Sequence, residues 1–239
     1  MRAHRQQRGV TLVEILVVMA IVTLLVAGVL MGSGQLASAK LRRSTTSIAA
    51  AVRVAFTRAS VMSRAERIVF DFGDKSFWLE ESDAPMLVQS KDVAGTGGAE
   101  AVTEAEKKRA AEESDRIVKG PTIPKPAFHK VDFGLVIADD ESKDPSVRPL
   151  PSGIQFRSIQ TTHDEEPKTE GRAYLYLWPG GLTERASIVF RKGTSLDDND
   201  ALTVWISPLT GTATVKSGAA ALPKADERDV SEREDQGAF

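Results

Sequence analysis

The chain of 239 residues has no cysteine. Disulfides, thiolate metal sites and cysteine nucleophiles are therefore excluded together. Its three histidines, His4, His129 and His163, are scattered and form no H-x-x-x-H pair, so a zinc centre is not expected. No serine sits in a Gly-x-Ser-x-Gly elbow, and no G-x-x-x-x-G-K-[ST] loop is present. The usual hydrolase nucleophile and phosphate cradle are thus missing. Charge of one sign is also lacking: the net value of −2 gives no global field to draw a polyanion. These absences point away from an enzyme and from any cofactor.

What is present is concentrated at the start. A leader carrying Arg2, Arg5 and Arg8 ends in Gly9, and from Ile15 to Ala39 no side chain is charged. A membrane-spanning helix needs about 17–25 mainly apolar residues, so a span is expected over 10–36. The basic leader places the N-terminus on the cytoplasmic side, although Lys40, Arg42 and Arg43 on the far side oppose that bias. One carboxylate, Glu14, stands at the head of the apolar run, where an unpaired charge is costly and asks for a partner. A secretory signal peptide cut before Lys40, after Ala37-Ser38-Ala39, is the competing reading; it explains neither Glu14 nor Gly9.

Gly9-Val10-Thr11-Leu12-Val13-Glu14 resembles the processing signal of type IV prepilins and type II secretion pseudopilins. The resemblance implies cleavage after Gly9 by a prepilin peptidase, N-methylation of Val10, and Glu14 as the fifth mature residue. Val10 departs from the usual Phe or Met. The amine released at Val10 and the Glu14 carboxylate are four residues apart on one helix, and pairing them offsets much of both desolvation costs. Between neighbouring helices the same pair fixes an axial offset, and this is the assembly salt bridge expected of Glu14.

Downstream, Ile48, Val52, Ala55, Phe56, Ala59 and Met62 recur at helical spacing, with Arg53, Arg58 and Arg64 elsewhere on the wheel. Ile68-Val69-Phe70-Asp71-Phe72 and Ser76-Phe77-Trp78-Leu79-Glu80 read as two strands about a Gly73-Asp74 turn. Over roughly residues 9–80 this order is similar to the H-type minor pseudopilins (GspH/FimT type), and the likeness returns at Trp178–Gly181 and Leu202–Val215. It implies an α+β, pilin-like fold: a long N-terminal helix, transmembrane then amphipathic, packed on an antiparallel β-sheet or β-sandwich head. It also implies a single-pass inner-membrane protein with a periplasmic head. Its partners would be other major and minor pseudopilins, the prepilin peptidase and the inner-membrane assembly platform.

The organisation expected is a leader at 1–9, the membrane helix at 10–36, its periplasmic half at 37–67, a β-rich head at 68–216 and a disordered acidic tail at 217–239. Residues 81–126 mix acids and bases around Gly95, Gly97 and Gly98 and end in Pro121, Pro124 and Pro126. They read as a mobile insertion with a solvated helix that has little to bury. Val131–Ala138, Ile154–Ile159, Arg172–Trp178, Ala186–Phe190, Leu202–Ser207 and Thr212–Lys216 are the further strands. Asp197, Asp198 and Asp200 could offer oxygen ligands to Ca²⁺, but the glycine and distal glutamate of an EF-hand loop are missing, and a solvated turn is the plainer reading. Arg185, Arg191 and Lys192 raise nucleic-acid binding, as in a type IV pilus minor pilin for DNA uptake; the aspartates that follow weigh against it.

Overall fold

A computed structural model describes residues 11–86, 94–114, 125–132, 144, 146–164 and 166–222, with the side chains of 28–34 excepted. It divides into two units, Met1–Ala39 and Lys40–Phe239, to which the first helix contributes in turn. That helix, α1 (Leu12–Met62), contains no proline and opens on Thr11, whose carbonyl accepts from the Ile15 N–H at 3.2 Å. It stops at Ser63, which takes the left-handed conformation (φ 54°) that ends helical pairing, earlier than the 67 expected. Among the described residues no helix is long and apolar enough to cross a membrane. The side chains of 28–34, which fall within the span expected over 10–36, lie outside the described residues.

Two antiparallel sheets follow. The first joins β1 (Glu66–Asp71), β2 (Ser76–Ser82), β3 (Phe128–Val131), β4 (Val147–Pro149), β6 (Arg172–Trp178) and β7 (Leu182–Thr183) in the order β3-β2-β1-β6-β7, with β4 also on β2. The second runs β10-β9-β8-β5, from β5 (Ile154–Thr161), β8 (Ala186–Lys192), β9 (Ala201–Ile206) and β10 (Ala213–Ser217). The expected strands within the described residues are all present; of Val131–Ala138, only Val131 lies in β3, and 133–138 fall outside the description. The turn from β1 to β2 is set by Asp71, whose carboxylate accepts from the Gly73 and Asp74 N–H groups at 2.9 and 3.0 Å.

Period-two alternation divides the central strands between two cores. Ile68 and Phe70, Phe77 and Leu79, and Ala173, Leu175 and Leu177 face α1 and the second sheet. There they meet Leu41, Ile48, Ala51, Val52, Ala55 and Ala59 of the helix and Phe156, Ile188, Phe190 and Val204 of the sheet. Small residues on the helix let it lie close to the strands. The opposite set, Val69, Trp78, Tyr174 and Tyr176, forms a second core with Met86 and Ala99.

The structure corrects part of the reading of 81–126: Glu81 and Ser82 belong to β2, and Met86, Ala94, Thr96 and Ala99 are buried, whereas the solvated helix expected there is present and mostly exposed. Gly97 (φ 64°) lies so close to the Tyr176 ring that a Cβ there would come within 2.8 Å of it. Helix α2 (Glu104–Ser114) follows and buries Glu106. The tail is corrected likewise. Ser217 ends β10, and 218–222 stay on the second sheet, held by a backbone bond from the Gly218 N–H to the Ala201 carbonyl at 3.0 Å and by side chains. Thr203 Oγ1 donates to the Gly218 carbonyl and accepts from Ala220 N–H, Trp205 Nε1 and Ser187 Oγ donate to the Ala220 carbonyl, and Leu222 N–H donates to Gln160. Residues 223–239 lie outside the described residues, as does the leader at 1–9.

Candidate functional site

In the first unit, Gly9 and Val10 lie outside the described residues; Glu14 is placed in the first turn of α1. Thr11 caps that turn, its Oγ1 accepting from the Glu14 N–H at 3.2 Å. A carboxylate in the first turn is favoured by the helix dipole, so Glu14 sits where the backbone itself supports a negative charge. Around it every side chain over 11–27 is exposed: Leu12, Val13, Ile15, Leu16, Val17, Val18 and Met19 are each more than half accessible. A helix apolar on all sides needs an apolar surrounding, whether lipid or other helices. The arrangement offers one acid, at a capped helix start, to whatever covers those side chains.

The second unit holds buried charge that the sequence reading passed over. Arg67 of β1 is 1% exposed, sandwiched between the rings of Phe128 and Tyr174 at 4.2 and 4.6 Å. Its guanidinium bonds Glu80 at 2.7 Å and the Tyr176 hydroxyl at 3.2 Å. Burial opposes its charge, but Tyr176 and Glu80 outweigh that and hold its pKa above the ordinary arginine value. Trp78 Nε1 donates to the other Glu80 oxygen at 2.6 Å. Tyr176 in turn donates to the Thr96 carbonyl, and the Lys168 ammonium bonds the Gly95 carbonyl at 2.9 Å, so the insertion is tied to the sheet at two points. Glu106 accepts from Tyr174 at 2.6 Å and from the Val102 and Thr103 N–H groups at 3.0 Å. Thr103 answers by accepting from the Glu106 N–H, which makes a reciprocal capping box at the start of α2. Thr103-x-x-Glu106 was the signal in the sequence that could have located this contact.

At the end of α1, Arg58 and Arg64 hold Glu81 at 2.7 and 2.5 Å, and keep its carboxyl below the usual range. Its cross-strand neighbour Glu66 is fully buried, with Arg58 Nε 2.8 Å away but not aligned for a hydrogen bond. Burial outweighs that neighbouring charge and pushes the Glu66 carboxyl up to about 8. His163 is also buried, its Nδ1 2.7 Å from Glu184 and its Nε2 3.8 Å from Asp164. Asp197 caps the short turn Asp198–Asp200, Asp198 pairs with Arg157 at 2.9 Å, and Asp200 pairs with Lys192 at 2.9 Å. Each of the three aspartates considered for calcium is thus committed to a separate partner. Among the described residues, no group of three or more His, Asp or Glu side chains could hold a metal ion.

Comparison with known families finds a match to the prokaryotic N-terminal methylation motif over residues 4–30. The chain therefore carries a prepilin-type N-terminus, of the kind that belongs to membrane-anchored, pilin-like proteins, and the match spans Gly9, Val10 and Glu14. Among solved structures, the minor pseudopilin EpsH from the Type 2 Secretion System of Vibrio cholerae is similar, with 10% sequence identity and a TM-score of 0.40. The similarity covers 77% of this chain and 99% of that one. No curated protein matches the chain.

Proposed function

We propose that this chain is a minor pseudopilin of a type II secretion system, a non-enzymatic structural subunit of the periplasmic pseudopilus that assists export across the outer membrane. The observation that carries the reading is the single acid in the first turn of a helix whose apolar side chains over 12–27 all lack cover, inside a prepilin-type motif. Cleavage after Gly9 releases a cationic amine at Val10. In the filament, Glu14 pairs with the Val10 amine of an adjacent subunit, which relieves both charges and sets the register between helices. The membrane anchor lies in the inner membrane with the N-terminus cytoplasmic and the head periplasmic, where neighbouring pseudopilins, the prepilin peptidase and the assembly platform are its partners.

The rival in this class is a type IV pilus minor pilin that binds DNA. The pairing of Arg157 with Asp198 and of Lys192 with Asp200 supports the secretion reading, because these cations are already neutralised. Salt-dependent retention of DNA that Arg185→Ala and Arg191→Ala abolish would favour the rival instead. Mass spectrometry of the mature N-terminus is the direct test, with methylated Val10 expected and a start at Lys40 ruling the proposal out. Glu14→Ala is expected to lose co-assembly with partner pseudopilins while remaining in the membrane; undiminished co-assembly would remove the assigned role of Glu14.

A further inference from the structure

The sheet edges differ in how their outer backbone groups are occupied. In the first sheet the outer strands are short: two residues in β7, four in β3 and three in β4. In the second, β5 is broken by a bulge between Phe156 and Ser158 and is bridged at Ile159 to Lys168. Short strands, bulges and covering segments keep a sheet edge from pairing further. Among the described residues β10 has no such protection: its five residues pair in unbroken register with β9, and Thr214 to Ser217 are exposed. The Ser207 N–H donates to the Thr212 carbonyl and the Gly218 N–H to the Ala201 carbonyl, which fixes the alternation of the ladder. Thr214 and Lys216 therefore turn their backbone groups toward β9, and Ala213, Val215 and Ser217 turn theirs away. Among the described residues nothing pairs with those outward groups, because beyond Ser217 the chain is held by Thr203, Trp205, Ser187 and Gln160 instead. A lysine commonly guards such an edge. Here the Lys216 ammonium lies 3.5 Å from the centroid of the Trp205 ring on β9, over its own sheet.

We propose that β10 is a docking edge for a second copy of this chain, whose own β10 adds to it antiparallel about a two-fold axis at Val215. The occupant follows from the strand itself. In that register Val215 meets Val215 of the second copy and Ala213 meets its Ser217, so every outward N–H and carbonyl of both strands is paired. The one charge on the strand, Lys216, then stands opposite Thr214 and faces no like charge. Val215 shares the face of Ala213, which packs on the core, yet it is 45% exposed. The added strand continues the sheet beside it and covers it. This inference stands on the head alone, and it holds or fails independently of the prepilin reading.

The lack of cysteine makes the test specific, because an introduced thiol has no competitor. Residues paired across antiparallel strands have Cα atoms about 4.5–5.5 Å apart, within disulfide reach, whereas diagonal neighbours at about 7–8 Å are beyond it. The full-length chain in membranes is treated with a mild oxidant. Val215→Cys is expected to form a disulfide-linked homodimer at least about tenfold more than Thr214→Cys or Lys216→Cys alone, since those two positions face each other and not themselves. Thr214→Cys and Lys216→Cys chains expressed together are expected to link to one another. All three positions are exposed, so the substitutions leave the core untouched. A Val215→Cys yield no higher than that of Thr214→Cys overturns the proposal, and equal high yields at all three positions do the same by marking random collision. Linkage of Val215→Cys to a different protein, with none to a second copy, also overturns it and gives the edge to another chain.

Discussion

On one face of the six-stranded sheet, Ile68, Phe70, Phe77, Leu79 and Leu175 are covered by helix and sheet, with Phe70 meeting Phe156 edge-on at 5.7 Å. On the other face, one residue along each strand, Arg67, Trp78, Glu80, Tyr174 and Tyr176 are covered just as fully but by polar contacts and an insertion. The first face is tolerant of partner identity, since apolar contact is non-directional. The second is not: each charge there is buried only because a particular donor or acceptor meets it, and removing one partner strands the other. Equal burial therefore conceals two kinds of dependence on sequence.

Breaking the comparison at its strongest point, Arg67→Ala is expected to cost about 3–5 kcal/mol, as much as Phe70→Ala on the apolar face. Equilibrium denaturation of the full-length chain in detergent measures both. The double change Arg67→Met with Glu80→Leu should cost less than Arg67→Met alone, because no lone charge is left behind. Equal or greater loss in the double variant would show that packing, rather than charge pairing, sets the second face.

The pH dependence sharpens the contrast further, because the apolar face carries at its end a buried acid, Glu66, that keeps its proton. Glu66 holds its proton up to about pH 8 when folded, whereas unfolded it releases it near the ordinary carboxylate value of 4.5. The folded state thus binds more protons across that window, and the Glu66 contribution to stability falls as pH rises from about 5 through 8. Glu66→Gln should flatten that fall and leave the chain more stable than the unaltered protein at pH 8, by about 2 kcal/mol. An unchanged slope in denaturation series from pH 5 to 8 would count against it. A smaller effect is expected at Tyr174→Phe, about 1–2 kcal/mol, since the Glu106 carboxylate loses one donor but keeps two N–H groups. Smallest is Asp197→Ala, at about 1 kcal/mol or less for an exposed cap, read from the same unfolding curves.

Much of the apolar face was legible in the sequence, because its signal is periodicity: three- and four-residue steps along Ile48–Ala59, and alternation in Ile68–Phe72 and Tyr174–Trp178. The division of the strands into two sheets was not legible, since pairing across long connections leaves no local mark. Nor were β4 and β7, which are three and two residues long. The second face was missed for a chemical reason. Charged residues read as solvated until their partners are known, and the partners of Arg67, Glu80 and Glu106 come from other strands or from the insertion. At the N-terminus the signal lay in order alone: it singled out Gly9, Val10 and Glu14, and the family match spans their positions.

The lodging of Gly97 against Tyr176 bears on how this protein can be prepared for study. Residues 94–114 look expendable by composition, and a shortened chain without them would be the natural first choice for crystallisation. Such a chain would lose the Thr96 and Gly95 carbonyls and the Glu106 carboxylate, and would present Tyr174, Tyr176 and the Arg67–Glu80 pair to water. The loop around Gly97 should be kept.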